Sequence, residues 1–157
     1  MRNPYEKILS CKARPMTKAQ ETLAQGLCRL AGRQPYGQIA VRALCQEANI
    51  ARSTFYVYYQ NIDELLSCME DNLIAGLLVY NVWVVDSDSA DLPLEIYDRT
   101  LAYIRDNLTA FETFLVARPN VRFIEKWKTA IKYHLAERHL LIGQSITGLD
   151  LRFELLA

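Results

Sequence analysis

Metal-ligand and disulfide patterns are missing from this sequence. Its four cysteines, Cys11, Cys28, Cys45 and Cys68, form no CxxC or CxxH pair, so no zinc-site spacing is present. His134 and His139 are roughly 140° apart around a helix and share no face for a metal. There is no nucleophile elbow, Gly-rich phosphate loop, HExxH or pair of carboxylates in an apolar setting. The chain therefore reads as no enzyme, and neither cofactor nor metal is expected. The longest apolar run, Leu73 to Val85, is broken by Asn81 and falls short of the ~18 residues of a membrane span. The N-terminal stretch MRNPYEKILSCKARP has no apolar core of about 7–15 residues, as a signal peptide would require. A cytoplasmic location with reduced thiols follows as the expectation. Cys28 and Cys45 fall on apolar helix faces and read as small hydrophobes; Cys11 is the thiol most available for chemistry. Six glycines and five prolines in 157 residues exclude a collagen-like or low-complexity chain. A chain of this length buries enough surface to fold without a staple.

Charge is present in balance but not evenly. Lys plus Arg and Asp plus Glu each number 18, for a formal net charge of zero. Residues 1–60 hold nine Lys/Arg (2, 7, 12, 14, 18, 29, 33, 42, 52) against three acids, Glu6, Glu21 and Glu47. Residues 61–157 hold the compensating acidic excess. Such asymmetry suggests a basic head for an anionic partner and a body that does not bind it.

The apolar pattern is helical throughout, with no sustained strand-period alternation. Residues 1–16 read as a flexible basic arm. Thr17-Lys-Ala-Gln20 matches a capping box, followed by Leu23, Leu27, Leu30 and Ala31 at helical spacing up to Gly32–Pro35. A short helix is predicted over about 41–48 and a third over about 52–59. Asn61 with Glu64 resembles a second capping box. It opens a long helix with Leu65, Leu66, Met69, Leu73, Leu77 and Val84 on one stripe. After the acidic loop 86–91, Pro93 suits the first turn of a helix carrying Ile96, Tyr97, Leu101 and Ile104. Another helix carries Phe111, Phe114 and Leu115 and ends before Pro119. A longer one runs over about 121–141, and residues 149–157 read as the start of a further helix. The fold class is all-α.

Residues 41–60, VRALCQEANIARSTFYVYYQ, fit a helix-turn-helix. Two helices crossing closely need a small side chain at the crossing, and Cys45 supplies it. Leu44, Ala48, Ile50 and Phe55 are spaced to fill the wedge between them. The turn needs a residue that tolerates positive φ, a role Asn fills better than any residue but Gly; here it is Asn49. The second helix then exposes Arg52, Ser53, Tyr56 and Val57 along one side, placed to read base edges in a major groove. Thr54, Tyr58 and Tyr59 flank that side, with hydroxyls suited to phosphates. Lys12, Arg14 and Lys18 add electrostatic grip.

The stretch Thr17–Leu66, above all residues 36–66, YGQIAVRALCQEANIARSTFYVYYQNIDELL, resembles the DNA-binding domain of TetR-type transcriptional regulators. Thr54-Phe55-Tyr56, Tyr58-Tyr59, Asn61, Glu64, Leu65 and Leu66 carry the resemblance most specifically. It implies a helix-turn-helix domain over 17–62 and a helical ligand-binding and dimerisation domain over 63–157. It also implies a homodimer on a double-stranded DNA operator, usually a repressor released by a small molecule. Base contacts map onto Arg52, Ser53, Tyr56 and Val57, and backbone contacts onto Thr17, Thr54 and Tyr58. Two family phosphate contacts are replaced, by Ala40 and by Ile62; Arg42 stands where it can substitute for the first. The family closes with two long helices, and this sequence ends about where the first would begin. Its dimerisation helices are expected to be short or missing.

The second half is rich in aromatics. A pocket for a small apolar or aromatic ligand is expected from Trp83, Tyr97, Phe111, Phe114 and Trp127, with Arg118 or His134 as polar groups. The competing expectation is that these aromatics are core. The alternative function is a helical interaction module of the same fold that senses no ligand.

Overall fold

The computed structural model describes residues 15–81 and 94–141, with side chains at 15–78 and 98–132. Seven α-helices occupy these residues, with no strand among them. Helix α1, Lys18–Ala31, begins where the capping box places it. The Thr17 hydroxyl accepts from the Gln20 amide at 3.4 Å, and Gln20 Oε1 accepts from the Thr17 amide at 3.1 Å. Gly32 ends the helix, and a 3₁₀ turn at Tyr36–Gln38 follows. Helix α2 spans Val41–Glu47 and α3 spans Arg52–Tyr58. Between them Asn49 adopts φ 52°, and the Ile50 amide reaches back to the Cys45 carbonyl at 2.9 Å. The small polar side chain that tolerates the left-handed region is thus where the chain reverses.

Helix α4 spans Ile62–Asn81. Asn61 Oδ1 caps it by accepting from the Glu64 amide at 2.8 Å. The Glu64 carboxylate reaches back one residue further than a capping box requires, to the Gln60 amide. Residues Leu73 to Leu78 are buried on every side, because α4 packs against α1, α5 and α7 at once. The single apolar stripe read from the sequence is therefore too narrow for this stretch. Ile74 and Ala75 lie off it and are buried as well.

Helix α5 spans Leu94–Asp106 and α6 spans Leu108–Glu112, which continues into a π turn at Thr113–Ala117. Helix α7, Val121–Leu141, completes the set. Leu101 was expected on the inward stripe of α5 but is 61% exposed. The inward face belongs to Ile104, one of the apolar residues expected there, and to Tyr103, about 200° from Leu101 on the helix. Its ring lies over Gly76 of α4, where an added Cβ would overlap the ring. Its hydroxyl donates to the Asn72 carbonyl at 3.1 Å. Leu115 is likewise exposed. Val84, Pro93 and the expected helix over 149–157 lie outside the described residues.

Sequence distance hides one further feature. Glu70 is fully buried on α4. It accepts from Asn120 Nδ2 at 2.7 Å and from Arg122 Nε at 3.0 Å, and pairs with Lys126 Nζ at 2.9 Å. Arg122 also reaches Asp63, and Lys126 reaches Ser67 and Asp71. A carboxylate taken from water needs this many partners, and together they bolt α7 onto α4. Burial pulls the Lys126 pKa down, but hydrogen bonds to Asp71 and Glu70 outweigh it and leave it raised.

Candidate nucleic-acid interface

The head is built on α1, against which α2 and α3 pack. Gly26 of α1 permits the closest approach. A Cβ there would stand 3.2 Å from Leu44 Cδ1 and 3.3 Å from Ala48 Cβ. Leu44, Cys45, Ala48 and Phe55 are buried and Ile50 is half-buried, so the wedge is filled as its spacing predicts. With Phe55 anchored inward, the helical period turns the neighbouring positions outward. Arg52 and Ser53 are exposed, Tyr56 is 58% exposed and Val57 75% exposed. All four base-contact candidates thus share one open side of α3.

The flanking candidates divide. Lys18 and Arg42 are exposed, and Thr17 stays exposed while serving as the α1 cap. Thr54 and Tyr58 are half-buried at the edge of the face. Tyr59 is a correction. It is 3% exposed, and its hydroxyl accepts from Gln20 Nε2 at 3.1 Å. Burial drives its pKa well above the ordinary tyrosine value. It locks the end of α3 to α1 instead of facing a phosphate, because a residue four positions after Phe55 falls on the same inward side. Ala40 caps α2 without a side-chain hydrogen bond, and Ile62 packs against the core; neither offers a polar group to a phosphate.

The basic excess of the first 60 residues is only partly available. Arg29 Nε meets Glu47 Oε1 at 2.7 Å and Arg33 Nη1 meets Oε2 at 3.2 Å. The Arg29 hydrogen bond, followed by the nearby positive charge of Arg33, holds the Glu47 carboxyl below its usual pKa. Among the described residues, Lys18, Arg42 and Arg52 are the head cations outside such pairs. Lys12 and Arg14 lie outside the described residues.

Three members of the expected aromatic pocket, Phe111, Phe114 and Trp127, belong to the core, as the competing expectation has it. Phe111 and Phe114 are buried, and together with Phe123 and Trp127 they pack ring on ring at centroid distances of 5.3–6.3 Å. Trp83 lies outside the described residues, as do the side chains of Tyr97 and His134. Arg118 faces the head, donating from Nε to the Ala31 carbonyl at 3.4 Å. A cleft of 340 Å³ lies between α1 and helices α4–α6, and none of the expected pocket residues is among its described lining. Among the described residues no group of three or more His, Cys, Asp and Glu could hold a metal. No described helix is long and apolar enough to cross a membrane. Cys28 and Cys45 are buried and Cys68 is half-buried, and burial raises the pKa of all three thiols.

Comparison with known proteins points the same way as this geometry. Residues 25–68 match the family described as bacterial regulatory proteins, tetR family. Over 114 residues the chain is 31% identical to the HTH-type dhaKLM operon transcriptional activator DhaS of Lactococcus lactis subsp. lactis (strain IL1403). That alignment covers 71% of this chain and 58% of the relative, so the chain spans a little over half of the relative's length. No solved structure matches the chain significantly. The fully buried Phe55 of α3 and the left-handed Asn49 turn before it both lie inside the matched segment: residues 25–68 form a helix-turn-helix of the TetR family of bacterial regulators.

Proposed function

We propose that this chain is a DNA-binding transcriptional regulator whose helix α3 enters the major groove. Arg52, Ser53, Tyr56 and Val57 meet base edges; Thr17, Lys18, Arg42, Thr54 and Tyr58 hold the phosphate backbone. One observation carries the reading. Tyr56 and Val57 stand exposed beside Arg52 on a helix of seven residues whose Phe55 is fully buried. Bulky apolar side chains grouped on an open ridge mark a surface that something else covers. A thymine methyl and a guanine edge are chemically suited to Val and Arg. The chain acts as a homodimer, since one short helix reads too few base pairs for specificity and paired heads read two half-sites about 34–36 Å apart.

The family resemblance favours a repressor released by a small ligand. The printed role of the Lactococcus relative, a transcriptional activator, favours activation as a second reading. A gel shift on the DNA upstream of the protein's own gene, at two salt concentrations, tests binding. Specific retention that weakens with salt supports the proposal, and no specific retention at either concentration overturns it. A reporter driven by the retained fragment, with and without the regulator, then separates repression from activation.

A further inference from the structure

We propose that the cleft between α1 and helices α4–α6 binds a compact organic cation, an ammonium carried on an apolar body. The inference deepens the ligand-sensing part of the proposed function and rests on it only for its regulatory meaning. The cleft measures 340 Å³, at the lower end of small-molecule pockets. Its floor is apolar: Ala24 from α1, Leu73 from α4 and Ala110 from α6. Ala24 and Leu73 are themselves buried, so the floor belongs to the core and keeps its shape. Gln25, Asn72 and Asn107 add amides.

The charge of the lining has one sign. Glu21 comes from α1 and Asp106 from the end of α5, and among the described residues no Lys, Arg or His lines the cleft. Glu21 has no ion pair among the described residues. Asp106 has only its sequence neighbour Arg105, at 3.6 Å, with both side chains well exposed. An anionic ligand would meet two carboxylates and, among the described lining residues, no cation to receive it. A purely apolar one would leave both unused. An ammonium on an apolar body finds carboxylate partners together with apolar lining. The walls belong to different parts of the fold: α1 carries the head, and α4–α6 belong to the body. A ligand that prefers one setting of these walls is therefore coupled reciprocally to DNA binding.

The test uses one body with three charges: 2-phenylethylammonium, 2-phenylethanol and phenylacetate, titrated calorimetrically into the full chain without DNA. The cation is expected to bind saturably, more tightly than the alcohol, and the anion more weakly still. In the double variant Glu21→Gln, Asp106→Asn the advantage of the cation over the alcohol is expected to fall about tenfold, the combined effect of two solvent-exposed ion pairs. Both positions are exposed, so the variant keeps its fold, checked by its helical circular dichroism. Equal affinity for the three compounds, no saturable binding of the cation, or an unchanged preference in the double variant would overturn the proposal. The DNA reading fails separately, in the gel shift without amine.

Discussion

Tyr36 and Arg118 stand 82 positions apart in the chain and are joined directly: the Tyr36 hydroxyl donates to the Arg118 carbonyl oxygen at 3.2 Å. The Arg118 guanidinium returns the contact by donating to the Ala31 carbonyl at the end of α1. Tyr36 also meets Phe114 edge to face, with centroids 6.2 Å apart. The π turn makes this possible. Its wide backbone bond, Arg118 N to Thr113 O at 2.9 Å, ends the helix early and turns residue 118 toward the head. Head and body are thereby held through a few polar contacts as well as through packing. Such a junction can be reset by modest free energies.

Tyr36→Phe removes one of these contacts and is expected to cost about 1 kcal/mol near neutral pH. It also changes the alkaline limb. Burial, aided by the Cys28 and Glu70 charges and opposed by Arg118, pushes the Tyr36 pKa from 10.0 to about 12. Its contribution is complete below the ordinary tyrosine value and is lost as pH rises toward the folded value, because the unfolded chain ionises first. Urea unfolding across pH 9–12 should show a shallower loss of stability in the variant. A slope identical to wild type would refute the assignment.

Arg52→Ala is expected to cost about 1–3 kcal/mol of specific DNA binding and to relax preference at one position. Lys18→Ala should weaken binding to every sequence alike and lower the salt slope by ~0.9. Competition gel shifts over a salt series distinguish the two, and a changed sequence preference in the Lys18 variant contradicts its role as a phosphate contact.

Glu70→Ala leaves Lys126, Arg122 and Asn120 without their shared acceptor. A loss of about 3 kcal/mol is expected. Asp63 meets the same Arg122 from an exposed position, so Asp63→Asn should cost under about 1 kcal/mol. Denaturant midpoints of the two variants settle the contrast, and similar values would place the network at the surface in energetic terms.

Asn49→Gly should be tolerated, since Gly enters the left-handed region freely. Asn49→Val should destabilise the head by about 1–2 kcal/mol and weaken DNA retention with it. Thermal unfolding measured alongside gel shift checks both, and an unaffected Val variant would mean the turn can relax to negative φ.

Much of the local structure was legible because its causes lie within a few residues. The Thr17–Gln20 box, the Asn61 cap, the Asn49 turn and the outward side of α3 each follow from helical period and side-chain chemistry within three or four positions. The inward face of Tyr59 is legible in its four-residue spacing from Phe55, but its partner Gln20 lies 39 residues away and is not. The aromatics at 111, 114 and 127 carried no local sign of whether they would line a cavity or fill it.

The amino-acid order alone thus settled which segments coil, where they stop and which ridge of the head stays open, since backbone sterics and the 3.6-residue period act locally. Packing of the finished helices decided the rest: that Glu70 is the bolt between α4 and α7, that Tyr59 meets Gln20, and that the cleft opens beside α1. Those outcomes depend on which distant side chains meet once water is excluded, and no short-range pattern encodes such meetings.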